Sequence, residues 1–179
     1  FQTWTRESDN SFSEPIDATL KYQKGDKIRY KQGAGYKYQY IISVGAYSGG
    51  KTIITTTGGS DYVFTNGTAI TDNYYSHQEN PIGFPDWFAW TPTYTGFSSN
   101  PTHACFFNLK GRSCFIKCYP SGAGTSNANT FKISLPIAPS TTSAKRSYAY
   151  GWGVDNGSSV ATIFKISGAD DATNIVLSS

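Results

Sequence analysis

The chain contains no methionine and only two histidines, and charged residues fill 15% of its 179 positions, against a usual share of about 25%. Each shortage excludes something. The formal charge is +3, and its densest basic group (Lys21, Lys24, Lys27, Arg29 and Lys31) would be split between two faces by strand alternation, so no clustered patch for a phosphate backbone forms and no nucleic-acid partner is expected. No apolar run approaches the ~20 residues of a membrane-spanning helix, and membrane insertion is not expected. With only His77 and His103 available, Asp72, His77 and Glu79 make a poor metal set, because they share a loop without defined spacing and nothing obvious completes it. The sequence opens on "FQTWTRESD" without a charged-then-apolar leader, and the missing methionine suggests a fragment or a processed product. Nothing in residues 20 to 64 repeats at helical period.

Rings and turn residues are plentiful. Aromatic residues make up 16% of the chain and there are 18 glycines, a composition suited to short strands joined by tight turns. Residues 20 to 64 alternate strand-like runs with Gly-rich turns, predicting a small N-terminal β-barrel-like module with Trp4 and Phe12 inside. Later strands are expected at residues 105–118, 129–137, 144–154, 158–167 and 173–179, the spacing of an antiparallel, jelly-roll-like β-sandwich. "CFFNLKGRSCFIKC" folds as a hairpin about Gly111-Arg112, which sets Cys105 opposite Cys118 and Phe107 opposite Ile116 on an apolar face. Asn66-Gly67 and Asn156-Gly157 are further hairpin signals; both are also glycosylation sequons, a match their turn role explains without glycans. "PSGAGTSNANT" is expected to be an exposed loop. The expected fold class is therefore all-β, divided into residues 1–88 and 89–179.

Between the modules lies "YYSHQENPIGFPDWFAWTPTYTGF", dense in rings yet broken by Pro81, Pro85 and Pro92. Prolines stiffen a connector and block ladder bonds, and buried rings, each covering ~150 to 250 Å², would fix one module against another. Phe84, Trp87, Phe88 and Trp90 are therefore the candidate seam between modules or subunits, the rival reading being an exposed sugar-binding platform. Tyr74, Tyr75, Tyr94 and Trp152 are the candidate surface or glycan contacts.

Three motifs could carry chemistry. Residues 45–52, "GAYSGGKT", fit the phosphate-loop pattern, but that loop requires a helix after it. The β-branched "TIITTT" that follows favours a strand, so the match reads as a hairpin and no cofactor is expected. Of the three cysteines, Cys114 and Cys118 are roughly 13 Å apart along one strand, too far to bridge. Cys105 and Cys118 could be bridged or remain buried free thiols. Asp86 beside Trp87 is the most suggestive acid, since sugar sites combine an acid with a ring. Hydrolysis would need a second carboxylate facing it, and no catalytic residues are assigned.

At "KYQKGDKIRYKQGAGYKYQYIISV", "TGGSDYVF", "YYSHQENPIGFPDWF", "TPTYTGFSSNPT" and "GRSCFIKCYPSGAGTSN" the chain resembles structural proteins of tailed bacteriophages, the modules of tail fibres, head fibres and minor structural proteins. The resemblance runs from about Trp4 to about Leu135. Its most specific parts are the Lys-Gly-Asp-Lys turn, Tyr-Ser-His with Asn-Pro-x-Gly-Phe-Pro, and the Gly-Thr-Ser-Asn loop. It implies a non-enzymatic virion component assembled in the bacterial cytoplasm, a fibre or capsid decoration that partners other virion proteins. A fibre tip would be homotrimeric and would present a surface to a host glycan or protein receptor. A carbohydrate-binding module is the alternative, and a glycan-degrading enzyme a weaker one.

Overall fold

The computed structural model describes residues 3–111, 113–127, 130–138, 147–155, 158–166 and 174–178; from 147 onward, and at Pro120, Ser126, Thr130 and Phe131, the description covers the backbone alone. The chain is all-β, without a helix among the described residues, and its sheets are antiparallel. It divides into two units: residues 1–90 with 106–117, and residues 91–105 with 118–179.

In the first unit β1 (Thr5–Ser8), β2 (Ser11–Glu14), β3 (Lys27–Gln32), β4 (Gly35–Val44), β5 (Thr52–Thr57) and β6 (Thr71–Ser76) form one sheet, in the order β1-β2-β5-β4-β3-β6. The sheet curls into a half-barrel. Period-two alternation aims one side of each strand inward. Phe12, Ile28, Tyr30, Ile41 and Ile54 are the inward set, joined by Trp4, Ala18, Tyr22 and Phe64 in a single core cluster. The rings interlock: Trp4 stacks on Phe12 with centroids 4.1 Å apart and Tyr30 on Phe64 at 4.5 Å. Trp4 and Phe12 thus lie inside, as their apolar bulk within a polar N-terminal stretch predicts.

The phosphate-loop match closes a hairpin. Gly49 and Gly50 both take positive φ, +60° and +79°, the pair of left-handed residues that a two-residue type I′ turn requires. Ser48 bridges Lys51, and strand β5 follows where a phosphate loop needs a helix. The Asn66-Gly67 turn does not join paired strands. Gln32 captures it instead, donating to the Thr65 and Thr68 carbonyls (3.2 and 2.8 Å) and accepting from the Thr65 N–H at 2.8 Å. A side-chain amide replaces the ladder that the dipeptide predicts.

The ring-rich connector is more regular than its prolines suggest. Tyr74 and Tyr75 precede the first proline and lie on β6, paired with Arg29 and Ile28 of β3. Further on, β7 (Phe88–Trp90), β8 (Tyr94–Thr95) and β9 (Phe97–Ser99) are short strands set between the prolines. The hairpin strands β10 (Thr102–Lys110) and β11 (Ser113–Gly122) form a sheet of order β11-β10-β7. Gly111 takes φ +57°, the value its turn position demands; Arg112 lies outside the described residues. Cys105 and Cys118 are joined in a disulfide, Cα atoms 4.2 Å apart, so the pair left open by the sequence is bridged. Cys114, two residues before Ile116 and so on the same side of β11, is exposed, because β11 is the outer strand of its sheet while Phe88 of β7 covers Phe107 of β10.

In the second unit β12 (Thr125–Ser126) pairs with β9, so the Gly/Ser/Asn-rich stretch expected as a loop carries a short strand. There β13 (Thr130–Ser134), β14 (Ser147–Asp155), β15 (Ser158–Ile166) and β16 (Asn174–Ser178) form a sheet ordered β14-β15-β16-β13-β8. Asp155 faces Ser158 in the β14/β15 register, the spacing of a two-residue connection; Asn156 and Gly157 themselves lie outside the described residues.

Candidate functional site

The strongest concentration of outward chemistry sits where the end of the connector meets the hairpin in the first unit. Ala89 is held from both sides, its N–H donating to Asp61 Oδ2 at 2.7 Å and its carbonyl accepting from the Ser60 N–H at 2.9 Å. Gly59 makes this approach possible: at φ +65° it faces the same carbonyl, and a Cβ there would lie 2.0 Å from the oxygen. Just upstream, Asn108 Nδ2 donates to the Asp86 carbonyl. These bonds fix Asp86 and Trp87 beside the hairpin. Asp86, Trp87, Asn108, Lys110 and Phe115 then enclose an open cleft of about 320 Å³, at the small end of the ~300 to 1,000 Å³ typical of ligand sites.

The cleft mixes two open rings with three polar groups. Trp87 is 37% exposed and Phe115 51%. Lys117 Nζ stands 3.9 Å from the Trp87 ring centroid, a cation–π contact that covers one face of the indole and leaves Phe115 as the freer ring. Asn108 is 7% exposed, and its Oδ1 is buried without a hydrogen-bond partner among the described residues. A buried unmet acceptor costs roughly 1 to 3 kcal/mol, which makes it the site's most informative atom. Among the described residues Asp86 is the only carboxylate lining the cleft, whereas glycoside hydrolysis needs two.

The other sequence-nominated residues scatter. Phe88 is fully buried and Trp90 nearly so; Phe84 and Phe88 pack with Tyr40 at 5.1 Å each, and Phe88 also meets Tyr62 and Phe107 at 5.8 Å, all within the first unit. Tyr74 and Tyr75 are 46% and 41% exposed. On the sheet's outer side the Arg29 guanidinium lies between the rings of Tyr36 and Tyr74, at 4.8 and 4.6 Å. The side chain of Trp152 lies outside the described residues, although its backbone pairs with Ala161.

Tyr94, in the second unit, stacks on His103 and shares a 2.7 Å hydrogen bond with its Nδ1. Burial lowers the His103 pKa below its ordinary 6.5. Below the folded value both states are charged and the desolvation cost is fully expressed; as pH rises toward 6.5 the unfolded chain binds more protons and stability climbs. Thermal unfolding should therefore shift downward between about pH 7 and about pH 5.5, above the carboxylate range, and His103→Gln should flatten that dependence. Identical pH profiles for the two proteins would refute this.

Two more polar clusters are structural. His77 Nδ1 lies 2.8 Å from the buried Asp26 carboxylate, so the histidine nominated with Asp72 and Glu79 pairs elsewhere; no group of three metal-ligating side chains occurs among the described residues. Glu14, fully buried, accepts from Trp4 Nε1 at 2.6 Å, from Lys21 Nζ at 2.7 and 3.0 Å, and from the Tyr22 hydroxyl. Burial, then that carboxylate, pushes the Tyr22 pKa up.

Sequence reasoning reached Asp86 and Trp87 but missed Asn108, Lys110 and Phe115. Strand alternation puts Asn108 and Lys110 opposite the face of Phe107, which was a usable signal; that Asp86 folds back against them was not. No protein-family profile, curated protein or solved structure matches this chain.

Proposed function

We propose that this chain is a non-catalytic structural component of a bacteriophage particle, a fibre or capsid decoration acting as a homotrimer and displaying a receptor-facing surface. Its first unit serves as a barrel-like module and its second as a jelly-roll-like sandwich. The observation that carries the reading is the phage-like run between Trp4 and Leu135, whose most specific segments do scaffold work. In the Lys-Gly-Asp-Lys turn, Gly25 N–H donates to the Ile41 carbonyl at 2.8 Å and Asp26 receives His77 of the Tyr-Ser-His segment. In Asn-Pro-x-Gly-Phe-Pro, the Phe84 N–H closes a turn on the Pro81 carbonyl at 3.1 Å. The Gly-Thr-Ser-Asn stretch supplies β12. Signatures spent on turns and strand pairing support a building block over a catalyst.

A carbohydrate-binding role is the second reading, favoured by the ring, acid and amide grouped in the Asp86–Phe115 cleft.

Light scattering of the purified 19.5 kDa chain should give a trimer, and antibodies against it should decorate intact particles in electron micrographs. A monomer, with particles left unlabelled, would overturn the proposal.

A further inference from the structure

We infer that the cleft formed by Asp86, Trp87, Asn108, Lys110 and Phe115 binds a neutral saccharide ring. The assignment rests on the reading of the chain as a surface-displaying particle component, and it specifies the chemistry that this surface would meet.

The donor and acceptor balance selects the ligand. Asp86 contributes carboxylate oxygens, and neither it nor Lys110 forms an ion pair with another described residue. Asn108 Nδ2 is already spent on the Asp86 carbonyl and its Oδ1 is buried, so the amide oxygen is closed to a ligand and Asp86 is the acceptor that remains. A fitting ligand must bring hydroxyl or N–H donors to the Asp86 carboxylate. It must also accept from one ammonium.

Charge narrows the class further. Among the lining side chains Asp86 opposes an anionic ligand and Lys110 a cationic one, so the cleft itself carries one charge of each sign. A planar apolar ligand would cover the Asp86 carboxylate and the Lys110 ammonium without pairing them, at a cost at least comparable to a lost hydrogen bond. A pyranose satisfies all three demands. Its hydroxyls both donate and accept, and the C–H face of its ring can cover Phe115, which is 51% exposed. Among the cleft residues Phe115 is the ring least occupied by protein contacts, which suits it to that part.

The test is ligand-observed NMR on the full chain with methyl glucoside, methyl galactoside, methyl mannoside and methyl N-acetylglucosaminide, alongside glucuronate and glucosamine as charged controls. At least one neutral glycoside should bind with millimolar affinity, and Phe115→Ala and Asp86→Asn should each weaken it by about tenfold while melting as the wild type does. Asp86→Asn keeps the backbone carbonyl that Asn108 holds, so it removes charge without removing the anchor. Absence of binding by every neutral glycoside, affinity unchanged from wild type in either variant, or preference for a charged control would overturn the assignment. Particle labelling and solution mass are separate measurements, so a failed sugar site and a failed virion assignment are told apart.

Discussion

Glu14→Ala should cost about 3 to 5 kcal/mol, the usual penalty for removing one partner of a buried, hydrogen-bonded charge pair. Trp4 Nε1 and the Tyr22 hydroxyl, both in side chains only 4% exposed, would lose their acceptor in a site that Ala cannot refill, and Lys21 would lose its counter-charge. The effect should reach past the pair, because Trp4 stacks on Phe12 and Tyr22 packs edge-on to both. Those contacts tie Trp4 and β2 to the segment before β3 within one core cluster. Glu14→Gln tests the mechanism. Its amide oxygen can still accept from the indole and the phenol, but its NH₂ then opposes the Lys21 ammonium, so the loss should be smaller than for Ala. Denaturant melts of the two variants decide the matter: equal stability for both and the wild type would show that the carboxylate contributes nothing net.

Much of this architecture was legible in the residues, for identifiable reasons. Strands β3 to β5 and β13 to β16 announce themselves because Gly, Asn and Asp turns bound runs of β-branched and aromatic residues. The hairpin loop at Gly49-Gly50 followed from what comes after it, since a β-branched run is a poor helix. The bridge between Cys105 and Cys118 could be framed by register but not decided, because opposed cysteines and opposed small hydrophobes look alike on paper. What stayed hidden depends on contacts remote in sequence. Gln32 reaching the turn at Thr65–Thr68 is one case. Asn108 is another: mid-strand it reads as an outward polar residue, and only the return of Asp86 turns it into a nearly buried side chain with one oxygen unmet. The candidate cleft was therefore half visible, its ring and acid named and its floor unseen.

The connector's rings divide into two energetic classes, and that division yields the second large effect. Phe88→Ala should destabilise the first unit by about 3 to 5 kcal/mol, the range for truncating a fully buried aromatic side chain. Phe88 is 0% exposed and packs at 5.1 to 5.8 Å against four rings, those of Tyr40, Tyr62, Phe84 and Phe107. These partners come from β4, the β5–β6 connection, the Pro81 turn and β10, so no single element can shift to close the cavity. Trp87→Ala, one position earlier, is expected to cost less, because Trp87 is 37% exposed and one face of its ring meets the Lys117 ammonium. The ordering matters more than either value. A ring run serving only as an exposed platform would give small losses at both positions, whereas one serving only as buried packing would give large losses at both. A large loss at Phe88 with a modest one at Trp87 means that one anchors the segment so that the other, with Asp86, is held open to solvent. Parallel melts of the two variants measure this, and a Trp87 loss equal to or above that of Phe88 would contradict it.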